Sequence, residues 1–431
     1  MPINLLLPFL VSLLLLALTF ALSRNKVGFY VITSAFMFVS TFLWIPLNWL
    51  SGLVLGQDMF PDSLVTSWLW GAVAFYAIYV LLTGVLVQSV TVRPLPIYDK
   101  DSSIALGFSF IALFLLAIVG YIAMNGFSFS AGHYGHRLAS NAGNGIFIIF
   151  FVLFIPFSYV LLLHSRNYLG LVGALCVCLI CGMLVYFTLG GSRNILAAGV
   201  VGVLIISQRV GLISLKSIAL SGVVLILLVN YLAFVRYGLS LDSDIMALGF
   251  RFLIDSLSPY DSFNNIVEYF EATDEFHKGF EFIPAQFNPL IPRVLWPDKP
   301  VLPVTNAYFY TESILGITKG TYIISPTLLG GLYIMGGWGA VFLGSIVLSM
   351  LTFACEKGVF SKSPFIVLLS FTLLPFTFFM VRESFELFIN KAITISCVFL
   401  FAWAGAVLLN GVFKSIKRAQ LKKINNDALK V

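Results

Sequence analysis

Charge is what this chain has least of. Only 10% of its residues are Asp, Glu, Lys or Arg, against roughly 25% in a soluble domain. With 59% hydrophobic residues and a mean hydropathy of +0.99, the chain is expected to be a polytopic membrane protein. Histidine is scarce, with four in all, and the five cysteines avoid the long polar stretch described below. No disulfide framework is therefore implied. Cys176, Cys178 and Cys181 share one apolar run, where they read as small buried apolar residues rather than as a metal site. Glycine-rich phosphate loops, His-Glu-x-x-His and Gly-x-Ser-x-Gly are all missing, which argues against nucleotide hydrolysis, zinc proteolysis and serine hydrolysis. No basic leader or small-residue cleavage site precedes Arg24 and Lys26, so the first apolar run is expected to be a retained span.

What the chain does have is uncharged runs of bilayer length. Spans are expected at 3–22, 27–50, 64–88, 104–124, 145–163, 169–190, 194–207, 218–235, 336–355, 364–381 and 392–409, eleven in all, each near the roughly 20 residues a bilayer requires. Residues 324–355 are too long for one span and too short for two, and Pro326, Gly336 and Gly337 interrupt them. A half-helix preceding the true span is expected there. Arg24, Lys26, Arg93, Lys100, Arg166, Arg209, Lys216, Lys357 and Lys362 fall on one side with the 410–431 tail. That side reads as cytoplasmic, leaving the N-terminus periplasmic. The basic tail reads as a topology anchor beside anionic lipid, not as a nucleic-acid site. The span centres carry no ionisable group, which weakens a proton-coupled transporter reading.

One polar stretch, 236–324, breaks the pattern and is expected to fold as a lid. Residues 245–257 have amphipathic spacing, with Arg251 and Asp255 four apart on one face. Those two are compatible with a site or with a surface ion pair. Ser258 and Pro259 read as cap and first position of a further helix, with Phe263, Ile266, Val267 and Phe270 as its apolar stripe. Pro292, Pro297 and Pro300 stiffen a strap that carries Arg293 and Trp296. Elsewhere, Gly190-Gly191-Ser192-Arg193 ends one helix and starts another. It offers a helix N-terminus and a guanidinium, a combination suited to phosphate. Arg382 and Glu383 enter where a span ends, with Glu386 following. The pair could activate a hydroxyl or form a helix-end ion pair. His133 and His136 lack a nearby acidic partner, so no metal site is expected.

Taken in order, Gly190-Gly191-Ser192-Arg193, Arg236-Tyr237-Gly238, Asp255-Ser256-Leu257-Ser258-Pro259, Ile291-Pro292-Arg293-Val294-Leu295-Trp296-Pro297, Ile324-Ser325-Pro326-Thr327-Leu328 and Arg382-Glu383 resemble the Wzy-type oligosaccharide repeat-unit (O-antigen) polymerases, and among them the enterobacterial common antigen polymerases. The resemblance is strongest from about residue 185 to 390. It implies a single integral membrane domain over 1–431, all-α and GT-C-like. It also implies polymerisation of undecaprenyl-pyrophosphate-linked oligosaccharides at the periplasmic face of the bacterial inner membrane. An O-antigen-type ligase or a flippase of the same substrates is the alternative. Under the resemblance, Arg193, Arg236, Tyr237, Arg251, Arg293 and Trp296 bind pyrophosphate or glycan, while Glu383, Asp255 and Arg382 carry the chemistry. Membrane lipid and a chain-length-regulating co-polymerase are the implied partners, and no cofactor is implied.

Overall fold

The computed structural model describes residues 2–23, 27–55, 67–95, 100–127, 144–189, 193–237, 253–273, 277–287, 305–318 and 323–428, with isolated positions 249, 291, 296 and 298. All regular structure among them is helical. The main elements are α1 (Ile3–Leu22), α2 (Phe29–Phe42), α3 (Trp44–Leu55), α4 (Ser67–Gln88), α5 (Lys100–Asn125), α6 (Phe154–Ser165), α7 (Tyr168–Thr188), α8 (Arg193–Val210) and α9 (Leu215–Tyr237). They continue with α10 (Tyr260–Thr273), α11 (Asn306–Phe309), α12 (Thr327–Val359), α13 (Pro364–Leu373), α14 (Thr377–Arg382) and α15 (Phe385–Ala428).

Seven of the described helical segments are long and apolar enough to cross a membrane, and α2 with α3 forms an eighth, bent by 45°. The remaining three expected spans fall on the apolar helical stretches Ile149–Ser165 and Asn194–Val210 and on α9, of which Leu215–Leu228 is described with its side chains. Local signals account for several boundaries. Asn167 caps α7 by accepting the Gly170 N–H at 2.8 Å, and Arg166 ends α6 in the left-handed conformation. Cys178 is buried and its thiol donates to Ser158, whereas Cys176 and Cys397 are exposed on the outside of the bundle. Cys176 thus does not fill the core as expected.

The helices pack in two groups. α12 lies along α4, with α1, α2 and α14 beside them; α15 lies along α5, with α6, α7 and α8 beside them. The run Pro364–Arg382 joins the groups, since α13 touches α6, α12 and α15 while α14 touches α2, α12 and α15. Its 3-10 turn at Leu374–Phe376, containing Pro375, breaks the crossing in mid-course. At the end of the bundle that bears the 410–428 tail, the buried Glu356 carboxylate accepts the Tyr30 N–H at 3.1 Å and so caps α2. Arg209 lies over the Phe360 ring beside it.

At the opposite, loop-bearing end, α10 docks on the membrane helices through aromatic rings. Its Phe263, Ile266, Val267 and Phe270 are all buried, as the stripe predicts. Tyr260 stacks on Trp44 with ring centres 4.1 Å apart, and Phe263 meets Trp68 and Trp338 edge-on. The Trp68 indole N–H donates to Asn264. This contact fixes α10 laterally, because buried aromatic pairs prefer defined offsets. The expected interruption of 324–355 falls within α12. Gly336 and Gly337 leave the helical conformation, Gly337 with φ +60° and ψ −152°. A side chain is nearly forbidden in that conformation. An ideal Cβ on Gly337 would also stand 2.7 Å from His277 Nε2.

Candidate active site

A narrow cleft opens at the loop end between α2, α4, α10, α12 and α14. Thr41, Phe42, Trp68, Tyr260, Thr327 and Val381 are among the residues that line it. Two helix N-termini border it, α10 at Tyr260 and α12 at Thr327. Unpaired N–H groups in a first helical turn favour negative charge nearby. Thr327 holds φ +68°, unusual for a β-branched residue. Its hydroxyl accepts the Gly330 N–H at 3.3 Å, so Thr327 acts as the cap of α12. Burial pushes the Tyr260 phenol well above its usual range, with neighbouring Asp261 adding to the shift. Tyr260 is accordingly a neutral hydrogen-bonding group at the cleft.

Arg382 ends α14 at the rim. Its Nε donates to the Ser256 carbonyl at 2.8 Å and its Nη2 to the Asp255 carbonyl at 3.2 Å. The guanidinium fork therefore closes the C-terminal end of the short helical turn 253–257. Asp255 is exposed and Glu383 is half-buried. Both carboxylates thus belong to segments that Arg382 holds together.

Ser258 does not cap α10 as expected. Its hydroxyl is turned across the bundle, donating to the Ser40 carbonyl at 2.9 Å and accepting the Trp44 N–H at 3.2 Å. The α2–α3 bend exposes backbone groups that a straight helix would pair internally, and Ser258 satisfies two of them. Position 258 is drawn away from capping by this demand.

The chain matches the family described as WzyE protein, O-antigen assembly polymerase, over residues 3–427. It belongs to that family. No solved structure matches the chain. As a member of the WzyE family it is a multi-pass membrane enzyme that polymerises lipid-linked oligosaccharide repeat units.

The cleft gathers part of the residue set that the motifs single out. Arg382, Asp255 and Ser256 meet directly, while Pro259 and Thr327 line the cleft. Arg193 begins α8 and Arg236–Tyr237 ends α9, and the side chains of all three lie outside the described residues. Arg251, Arg293, Ser192, His133 and His136 also lie outside them. Trp296 is half-buried at an isolated described position. Among the described residues no cluster of three or more His, Cys, Asp or Glu could hold a metal ion. Sequence reasoning gave no role to Thr327 or to Glu386. For Glu386 a signal existed, since it is a carboxylate entering an otherwise apolar helix. For Thr327 the Ile324–Leu328 motif marked the position but not its role, because left-handed backbone is not visible in a Ser-Pro-Thr sequence.

Proposed function

We propose that polymerisation takes place at the loop end of the bundle, on the periplasmic face of the inner membrane, with residues 236–324 as a lid. The N-terminus is then periplasmic and the 410–431 tail cytoplasmic. The donor is a glycan on undecaprenyl pyrophosphate, and the acceptor is a hydroxyl at the free end of a second lipid-linked unit. The acceptor oxygen attacks the anomeric carbon of the donor. The bond from that carbon to the pyrophosphate oxygen breaks, and the lipid pyrophosphate leaves. The acceptor's proton passes to a carboxylate.

The observation that carries this reading is the Arg382 fork on the 255–256 carbonyls, beside a cleft bordered by two helix N-termini. Pyrophosphate is already a good leaving group. Fixed positive charge at the departing oxygen is the main catalytic need, and preoriented donors supply it without reorganisation. Arg382 takes that role, joined by Arg193, Arg236, Arg251 and Arg293 from the lid and neighbouring helix ends. Tyr237 and Trp296 present aromatic faces to sugar rings. Glu383 is the first candidate for the base, Asp255 the second. A chain-length-regulating co-polymerase is the expected protein partner.

Purified protein incubated with lipid-linked repeat units tests the reading. Wild type is expected to yield ladders of higher polymer. Arg193→Ala, Arg293→Ala and Arg382→Ala are expected to yield none at unchanged protein level, and normal ladders from all three would refute the assignment.

A further inference from the structure

Beyond Glu383 the chain turns into α15, and there it buries a second carboxyl. Glu386 is fully buried, as are Asn306 at the start of α11 and Ser384 at the start of α15. Glu386 Oε1 accepts the Asn306 backbone N–H at 3.2 Å. The Asn306 amide and the Ser384 hydroxyl lie beside the same carboxyl. Asn306 Nδ2 donates to the Gly331 carbonyl at 3.3 Å. The close approach favours glycine at 331, where an ideal Cβ would stand 3.2 Å from Asn306 Nδ2 and 3.3 Å from the Ser384 Cβ and would press both back by a few tenths of an ångström. The 305–314 segment, α12 and α15 therefore meet at one buried polar junction.

Three oxygens at this junction have no hydrogen-bond partner among the described residues: Glu386 Oε2, Asn306 Oδ1 and Ser384 Oγ. Buried polar atoms are almost always paired, and a buried carboxylate without a cation is especially costly. Ionised, Glu386 would have only the Asn306 N–H groups and the Ser384 hydroxyl beside it to balance a buried charge. One proton on Oε2 removes that charge and turns an acceptor without a partner into a donor at a junction where Asn306 Oδ1 and Ser384 Oγ also have none among the described residues.

We propose that Glu386 is a neutral carboxylic acid that clips the 305–314 segment of the lid to the start of α15, and that it is a positioning residue for Arg382 and Glu383. The turn between α14 and α15 is tight, with the Glu383 and Ser384 N–H groups both donating to the Phe379 carbonyl at 2.8 and 3.3 Å. Arg382 pins one side of this turn to residues 255–256, and Glu386 pins the other side to Asn306. The proposal rests on the reading that the α14–α15 turn carries the chemistry. Glu386 itself touches no substrate.

The test compares Glu386→Gln and Glu386→Ala in the full-length protein, assayed with lipid-linked repeat units. Glutamine keeps the shape, the acceptor for the Asn306 N–H and a donor at the Oε2 position, without charge. Glu386→Gln is therefore expected to accumulate normally and to give wild-type ladders. Glu386→Ala is expected to lose about 100-fold in rate, as displaced catalytic groups do. If the alanine variant fails to accumulate, Glu386→Leu, which fills the space but accepts no hydrogen bond from the Asn306 N–H, is measured in its place, with the same loss expected. An inactive or unstable Glu386→Gln overturns the proposal, since it means that the charge itself is needed. Full activity of the alanine variant overturns it as well. Arg382→Ala, assayed alongside, separates the two readings: wild-type ladders there would remove the site, whereas failure of Glu386→Gln removes only the clip.

Discussion

Arg382 and Ser256 stand 126 residues apart in sequence and 2.8 Å apart in space, guanidinium Nε to carbonyl oxygen. The end of an apolar helix thereby holds the end of the helical turn 253–257 in the polar stretch. Hydrogen bonds from a charged donor are worth about 1.5–3 kcal/mol each. Arg382→Ala is expected to lower the polymerisation rate by more than about a hundredfold, enough to leave no ladder of higher polymer. Arg382→Lys keeps the charge but cannot present two parallel N–H groups, so its rate should fall between those of wild type and alanine. Chain-length profiles with each variant at matched protein level check the order.

The two candidate bases separate by isosteric substitution. Glu383→Gln is expected to reduce turnover by about 10²–10⁴, the usual contribution of a positioned base, with binding of the lipid-linked donor unchanged. Asp255→Asn should reduce it less. Single-turnover rates with saturating substrate measure both, and the reverse order would transfer the role to Asp255.

Removing the Ser258 hydroxyl tests the fold without touching charge. Ser258→Ala removes two buried hydrogen bonds at the α2–α3 bend, from the Trp44 N–H and to the Ser40 carbonyl. Each is worth about 0.5–1.5 kcal/mol. A lower midpoint of thermal unfolding in detergent is expected. An unchanged midpoint would mean that the bend finds another acceptor.

The seat of His277 on the α12 break gives a pH dependence. Its ring packs 4.6 Å from Phe270, centre to centre. Burial pushes the imidazole below its usual range, and a hydrogen bond to the Tyr333 backbone offsets this in part. The docked segment thus prefers the neutral ring. Above a pH of about 6.5 the ring is neutral whether docked or not, so docking is unaffected. Below that pH the undocked ring takes up protons first, and docking weakens as the pH falls. Protection of the backbone amides of residues 277–280, taken relative to intrinsic exchange at each pH, should therefore fall between pH 7.5 and pH 5.5, and His277→Gln should abolish that fall. Gly337→Ala, which puts a Cβ against the same ring, should quicken exchange at every pH.

Much of the membrane core was legible because its signals are local. Apolar run length located a helix at every expected span, and the stripe of Phe263, Ile266, Val267 and Phe270 gave the buried face of α10. The paired glycines 336 and 337 marked the break in α12. The site was less legible, because its decisive contacts join segments with no local relation. Nothing near Arg382 points to carbonyls at 255 and 256. Ser258 followed by proline has the form of a helix cap, yet a bend in another helix claims its hydroxyl. Burial of Glu386 depends on Asn306 and on the missing side chain of Gly331, neither visible from its own neighbourhood.

The Lys278 N–H donates to the Ile334 carbonyl at 2.9 Å, one turn before the glycine break in α12. A helix interrupted in this way leaves carbonyls that lipid cannot solvate, and here the 236–324 segment supplies one of the missing donors. Such a segment exchanged between relatives would have to bring its own match to the break, and expressed alone it would lose the surface on which it packs.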